Sequence, residues 1–138
     1  MNLRSAVLLA GILGLSPGPA LAQSDTIIKA GDDSTVDTST GTLTVKSVNA
    51  PKDGFLVVHV VADGKPGAVI GHAEVKEGEN SGVPVILDTT PKSGDVLALM
   101  LHDDTGTTGK YEFGMDGSTE DAPTMADGKP VMVTVTVK

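Results

Sequence analysis

Cysteine and tryptophan are both absent from this 138-residue chain, and its aromatic side chains are Phe55, Tyr111 and Phe113. Without cysteine, stability has to come from packing rather than disulfides, and a lipid anchor has no attachment point. Any metal site must draw on His, Met, Asp, Glu or backbone oxygen. With so few rings, the core has to be assembled from Val, Leu, Ile and Ala. The abundance of Val favours strands, because its β-branched side chain packs well on a pleated surface. Basic residues are scarce too: 10 Lys plus Arg stand against 18 Asp plus Glu. Such an acidic surface repels nucleic acid and anionic lipid, so neither is an expected partner.

The one long apolar stretch lies at the start. "MNLRSAVLLAGILGLSPGPALAQ" carries Arg4, an apolar run from Ala6 to Leu15, a helix-breaking Pro17-Gly18-Pro19 and the small-x-small triplet Ala20-Leu21-Ala22. That order is the pattern of a secretory signal peptide, and the run is too short to span a bilayer, which takes about 20 residues. Residues 1–22 are therefore expected to be removed, with the mature chain starting at Gln23. The expected product is exported, periplasmic or secreted, and its chain is not inserted in a membrane. Removal takes away Arg4 and leaves nine lysines against 18 acids, a formal charge of −9, on 116 residues. That length suits one domain with its own core, spanning 23–138.

No stretch of the mature chain keeps a helical period. Short β-like runs recur between turn signals instead: "TLTVKSVNA" (42–50), "GFLVVHVVA" (54–62), "GAVIGHAEV" (67–75), "GVPVILD" (82–88), "DVLALMLH" (95–102), "GKYEFG" (109–114) and "VMVTVTVK" (131–138), with "TIIKA" (26–30) as an edge strand. The run 54–62 is continuously apolar, as in a strand buried on both faces. Between the runs, Pro51-Lys52-Asp53-Gly54, Asp63-Gly64-Lys65-Pro66-Gly67, Glu77-Gly78-Glu79-Asn80 and Pro91-Lys92-Ser93-Gly94 supply preset φ at Pro and positive φ at Gly or Asn. Seven to eight short strands at this spacing predict an all-β, antiparallel, immunoglobulin-like sandwich. Residues 114–130 are the longest irregular segment and a candidate functional loop.

Three groups of residues invite chemical readings. His59, His72 and His102 are the only histidines; imidazole suits copper or zinc, and period-2 counting sets the Met100 thioether on the face of His102, a combination that favours copper. No HxH or HxxxH pair announces such a site, and hydrogen bonding of strand-end histidines to loop backbone competes with it. Asp63, Asp103 and Asp104 are carboxylates on glycine-rich loops, the oxygen donors Ca²⁺ takes, but EF-hand spacing fails and Asp in turns commonly caps its own backbone. A hydrolase reading lacks a Gly-x-Ser-x-Gly elbow, and no glycine-rich loop leads into a phosphate-binding helix. Glu112 is read as a solvated position.

An internal echo bears on these residues. "HVVADGKPGAVIG" (59–71) and "HDDTGTTGKYEFG" (102–114) each run from a strand-ending His through Asp and two spaced glycines to a short strand. Two hairpins built alike would produce this pattern without chemistry.

The pieces "GFLVVHVVADGKPGAVIGHAEVKEGEN", "VPVILD" and "LALMLHDDTGTTGKYEFG" resemble an uncharacterised family of secreted prokaryotic β-domains, a domain of unknown function. Its pattern runs "GWVVVHADxxGxPGxVIGHAxVxxGxN…VxLD…LxAMLHxDxGxxGxYEFPG". The resemblance covers residues 54–113 and includes all three histidines. Phe55 stands where the family has Trp, and Gly114-Met115 where it has Pro-Gly. The resemblance implies a compact β-sandwich and carries over no activity. The expectation is thus a non-enzymatic exported domain that binds a protein or small ligand at the cell envelope, without a required cofactor. The alternative is a copper- or zinc-binding protein using His59, His72 and His102.

Overall fold

A computed structural model of the chain describes residues 24, 26–30, 36–37 and 39–138; the expected leader, 1–22, lies outside them. The protein is all-β, built from two antiparallel sheets packed face to face. In one, β3 (Thr42–Ala50) pairs along one edge with β6 (Gly78–Ile86) and along the other with two short strands, β1 (Ile28–Lys29) near its C-terminal end and β2 (Val36–Asp37) near its N-terminal end. The other has the order β10-β7-β4-β5, formed by Met132–Thr136, Val96–Asp103, Gly54–Ala62 and Lys65–Val75. A hairpin of β8 (Met125–Ala126) and β9 (Lys129–Pro130) completes the strands.

Alternation sorts the side chains. Leu43 and Val45 of β3 and Val83 and Val85 of β6 meet Leu56 and Val58 of β4, Leu97, Leu99 and Leu101 of β7 and Val133 of β10 in one aliphatic core. A full aliphatic side chain removed from water contributes about 1.5–3 kcal/mol, so this layer supplies the stability that disulfides do not. Along the β5–β6 side the sheets touch closely. A Cβ on Gly71 would lie 2.5 Å from the Ile86 carbonyl oxygen, and the Asp88 N–H donates to the Ile70 carbonyl at 2.6 Å.

The second face of β4 and β7 is buried as well. Phe55, Val57, Ala98, Met100 and His102 are all buried yet lie outside the aliphatic core. The register pairs Phe55 with His102 and Val57 with Met100, so these residues form an apolar strip on the outer face of the four-stranded sheet. Tyr111 and Phe113, from the loop 104–121, pack on its Phe55–His102 end. This explains the unbroken apolar run of β4, one face of which packs against the opposite sheet and the other beneath a loop.

Several sequence expectations change here: Lys65–Gly67, read as part of a turn, begins β5, and the segment 114–130, read as irregular, carries the β8–β9 hairpin. Residues 109–114 form no strand; after β7 the chain runs as a loop into a short 3₁₀ turn at Met115–Gly117. The echo between 59–71 and 102–114 is therefore one hairpin and one covering loop. Residues 78–80, expected in a turn, begin β6, and the change of sheet is compressed into Lys76-Glu77. The Asn80 side chain makes this tight turn workable, since its amide donates to the carbonyls of Lys76, Gly78 and Val48 while its oxygen accepts from the Lys76 N–H.

Candidate functional site: an imidazole–phenol cluster under the loop

The site is built on the outer strip of the four-stranded sheet. His59 and His102 come from neighbouring strands, and their ring centroids lie 6.0 Å apart with planes inclined by 23°. His102 is 1 % exposed and His59 8 %. Each ring is held through Nδ1 by a main-chain carbonyl. His59 Nδ1 is 2.9 Å from the Gly67 oxygen and His102 Nδ1 is 2.7 Å from the Asp121 oxygen. A carbonyl only accepts, so Nδ1 carries a proton in both rings, and in the neutral imidazole Nε2 then holds the lone pair. Among the described residues neither Nε2 atom has a hydrogen-bond partner, although both are buried.

Local irregularities supply the two carbonyls. The β4–β5 ladder slips on both sides of His59, and Gly67 drops out of register. A bulge leaves a residue unpaired, and here the freed carbonyl meets the His59 ring. His102 is served from the other side of its strand. There the Asp103 N–H donates to the Ala122 carbonyl and the Thr124 N–H to the Leu101 carbonyl, which brings segment 121–124 alongside β7. Gly54 is required opposite, because a Cβ there would lie 2.1 Å from the His102 carbonyl oxygen.

Tyr111 and Phe113 close the site. The Tyr111 ring lies 5.5 Å from His102, 5.6 Å from Phe55 and 4.9 Å from His72, and Phe113 lies 5.3 Å from His102. The Tyr111 hydroxyl is buried and lacks a partner among the described residues. Its burial, reinforced by the charge of Asp121, pushes the phenol pKa up to about 12, which keeps it a protonated donor. Burial lowers the His102 pKa, with the neighbouring His59 acting in the same direction against the Asp121 carbonyl, so the imidazole is held in its neutral form. The cluster thus presents two imidazole lone pairs and one phenolic O–H within an aromatic and aliphatic wall.

The remaining candidates fall elsewhere. His72 is exposed on β5, and its ring contacts run to Phe55 and Tyr111 rather than to the other histidines. Asp63 occupies the exposed β4–β5 turn at φ 52° beside Gly64 at φ 72°, an Asp-Gly pair that serves the hairpin. Asp103 is occupied on both oxygens, by the Thr124 hydroxyl and by Lys52 Nζ at 3.2 Å. Asp104 accepts the Gly109 N–H at 2.8 Å inside its own loop. The three carboxylates do not converge, and among the described residues no group of three or more His, Asp or Glu is arranged to hold a metal ion. Glu112 is no free solvated side chain, because it accepts the Thr107 N–H at 3.0 Å and sits 3.6 Å from Lys110.

Asp121 is the residue the sequence reading missed. It is fully buried, and its carboxylate accepts the N–H groups of Thr105, at 2.7 Å, and Glu112, at 2.6 Å. Its own N–H donates to the Thr105 hydroxyl, while its carbonyl orients His102. One residue therefore ties both ends of the covering loop to the imidazole. The available sequence signal was Tyr111 and Phe113, two of only three aromatic residues in the chain, placed within a dozen positions of His102.

Fold and site together define a small antiparallel β-sandwich with a loop-covered histidine pair on the outer face of one sheet. The chain belongs to the family described as domain of unknown function DUF7282, whose model matches residues 30–138. No curated protein and no solved structure matches the chain. Among the described residues no helix is long and apolar enough to cross a membrane.

Proposed function

We propose that this chain is an exported, non-enzymatic binding domain of the cell envelope, and that its ligand seats at the imidazole–phenol cluster. The observation that carries the reading is the pair of buried Nε2 atoms of His59 and His102, each without a partner among the described residues. A buried acceptor left unpaired costs about 1–3 kcal/mol, and ligand-binding sites commonly hold a few convergent polar groups in an apolar wall. Binding is favoured over catalysis by what surrounds the rings. Neither Nε2 has a hydroxyl in hydrogen-bond reach among the described residues, and covalent catalysis of the Ser–His kind needs that pairing. Export is supported by the leader pattern of residues 1–22.

Native mass spectrometry of the protein exported by its own host tests both parts. The expected species is a chain beginning at Gln23 that carries one adduct, and a His59→Ala/His102→Ala double variant exported in the same way should lack it. A wild-type mass equal to the bare polypeptide would overturn the binding reading. A mass that retains residues 1–22 would overturn the export reading.

A further inference from the structure

We propose that His59 and His102 form a two-coordinate site for a soft monovalent cation of the Cu(I) type, each binding through Nε2. The inference rests on the binding reading above and assigns its ligand class.

The first support is the anchoring of the rings. Metal-ligating histidines characteristically donate their other ring N–H to a carboxylate or a backbone carbonyl, which fixes the tautomer and aims the free nitrogen. Both imidazoles are held in this way, by Gly67 and by Asp121. Both free nitrogens belong to residues more than nine-tenths buried.

Spacing is the second support. With metal–nitrogen distances of about 2 Å, an ion lying between two Nε2 atoms sets the ring centroids about 6 Å apart when the N–metal–N angle is wide, and about 5 Å apart at a tetrahedral angle. The observed separation is 6.0 Å, on the wide-angle side. Cu(I), a singly charged closed-shell ion, accepts near-linear coordination by two neutral donors. Zn²⁺ takes four ligands and Ca²⁺ six to eight oxygens, more than this pair offers.

The surroundings agree with a soft ion. Met100 stands two positions before His102 on the same face of β7 and pairs with Val57, itself two positions before His59. The sheet lattice therefore sets a methionine between the two imidazoles. Met132, the cross-strand partner of Met100 on β10, adds a second. Thioethers prefer Cu(I). His72 lies against Phe55 and Tyr111, Asp63 sits on an exposed turn and Asp103 is held by Thr124 and Lys52, so none of them joins the pair. The rings of Tyr111 and Phe113 pack against His102, and both imidazoles are buried from water, which protects the lower oxidation state.

Histidine-¹⁵N spectroscopy on the wild-type protein avoids dependence on variants that fail to fold. Ag(I), a redox-inert stand-in, should shift the Nε2 resonances of His59 and His102 together and saturate at one equivalent, with Nδ1 still protonated and His72 unchanged. In anaerobic competition with a chromophoric Cu(I) chelator, His59→Ala and His102→Ala should each weaken binding by at least about 100-fold, while Asp63→Asn should leave it unchanged. Absence of any Nε2 shift, or a shift confined to His72, overturns the site; the two nitrogens would then be satisfied by a bridging water. Zn²⁺ shifting both resonances where Ag(I) does not overturns the Cu(I) assignment and leaves the binding reading standing. An organic adduct in the native mass spectrum has the same consequence.

Discussion

His59 and His102 are four register positions apart on adjacent strands, since His59 pairs with Ala98 and His102 with Phe55, yet their rings come within 6.0 Å. At about 3.3 Å per residue that offset is about 13 Å along the sheet. The two side chains therefore reach toward each other along the strip that Val57 and Met100 occupy. Backbone pairing alone would not bring them together. The Gly67 bulge and the Asp121 carbonyl aim the rings, and Tyr111 packs edge-on against His102.

Acidification of the chelator-treated protein should destabilise it through His102. Its pKa is lowered in the folded state, chiefly by burial, so the unfolded chain binds the proton first as the pH falls. Stability should be level above the ordinary histidine value of 6.5. It should then decline as the pH drops below that value and flatten once the folded-state pKa is passed. Urea unfolding from pH 8 to 5 measures this, and His102→Gln should flatten the slope. The charged and titratable neighbours facing His102 are His59, Asp121, Asp103 and Tyr111. A wild-type profile as flat as that of the variant would overturn the assignment.

Replacing Asp121 with Asn should release the loop before it unfolds the sandwich. An amide has one carbonyl oxygen to offer where the carboxylate accepts from two N–H groups, Thr105 and Glu112. One half-buried N–H loses its acceptor, at a cost of about 1 kcal/mol. Tyr111 is the only tyrosine and no tryptophan is present, so its fluorescence reports the loop directly. Acrylamide should quench Asp121→Asn much more strongly than wild type, with the far-ultraviolet spectrum unchanged.

The ionisation of Tyr111 offers an independent check on the same contact. Absorbance at the phenolate band should titrate with a midpoint near 12 rather than 10 in the wild-type protein. Asp121→Asn should move it down, because the variant removes the nearby charge and admits water. A wild-type midpoint at the ordinary value would mean that the ring is not covered.

Gly71→Ala should weaken the seam between the sheets without touching the cluster. The added methyl would meet the Ile86 carbonyl oxygen at 2.5 Å, with side chains of Leu87 and Val85 at 3.1 Å. Overpacking of this kind costs about 1–3 kcal/mol. Thermal unfolding should show the loss, while Tyr111 quenching stays at the wild-type level.

Much of the sandwich was legible in the sequence, and the reason is local. The strands read from "TLTVKSVNA" and "GFLVVHVVA" coincide with β3 and β4 to the residue, because alternation and turn residues are properties of neighbouring positions. The continuous apolar character of β4 also announced burial on both faces. It did not say what lies on the second face. "GKYEFG" alternates like a strand, yet it forms none, because Asp121, Asp104 and Glu112 accept the N–H groups of Glu112, Gly109 and Thr107 and hold the segment as a loop. Tyr111 and Phe113 then find their partners on the sheet rather than in a hairpin. Such bonds join residues five to nine positions apart, and nothing in a period-2 pattern encodes them.

The sequence by itself determined an all-β, cysteine-free, acidic chain, its long strands and its Asp-Gly turn at 63–64, since each follows from composition or from the nearest neighbours along the chain. It also supplied the three histidines as candidates. Only the tertiary structure decided that His59 and His102 face one another while His72 stands apart, that Asp103 is held by Thr124 and Lys52 while Asp104 serves the covering loop, and that Asp121 orients the cluster. Those outcomes depend on a bulge, a register offset and a loop laid across a sheet, which bring together side chains that no sequence spacing relates.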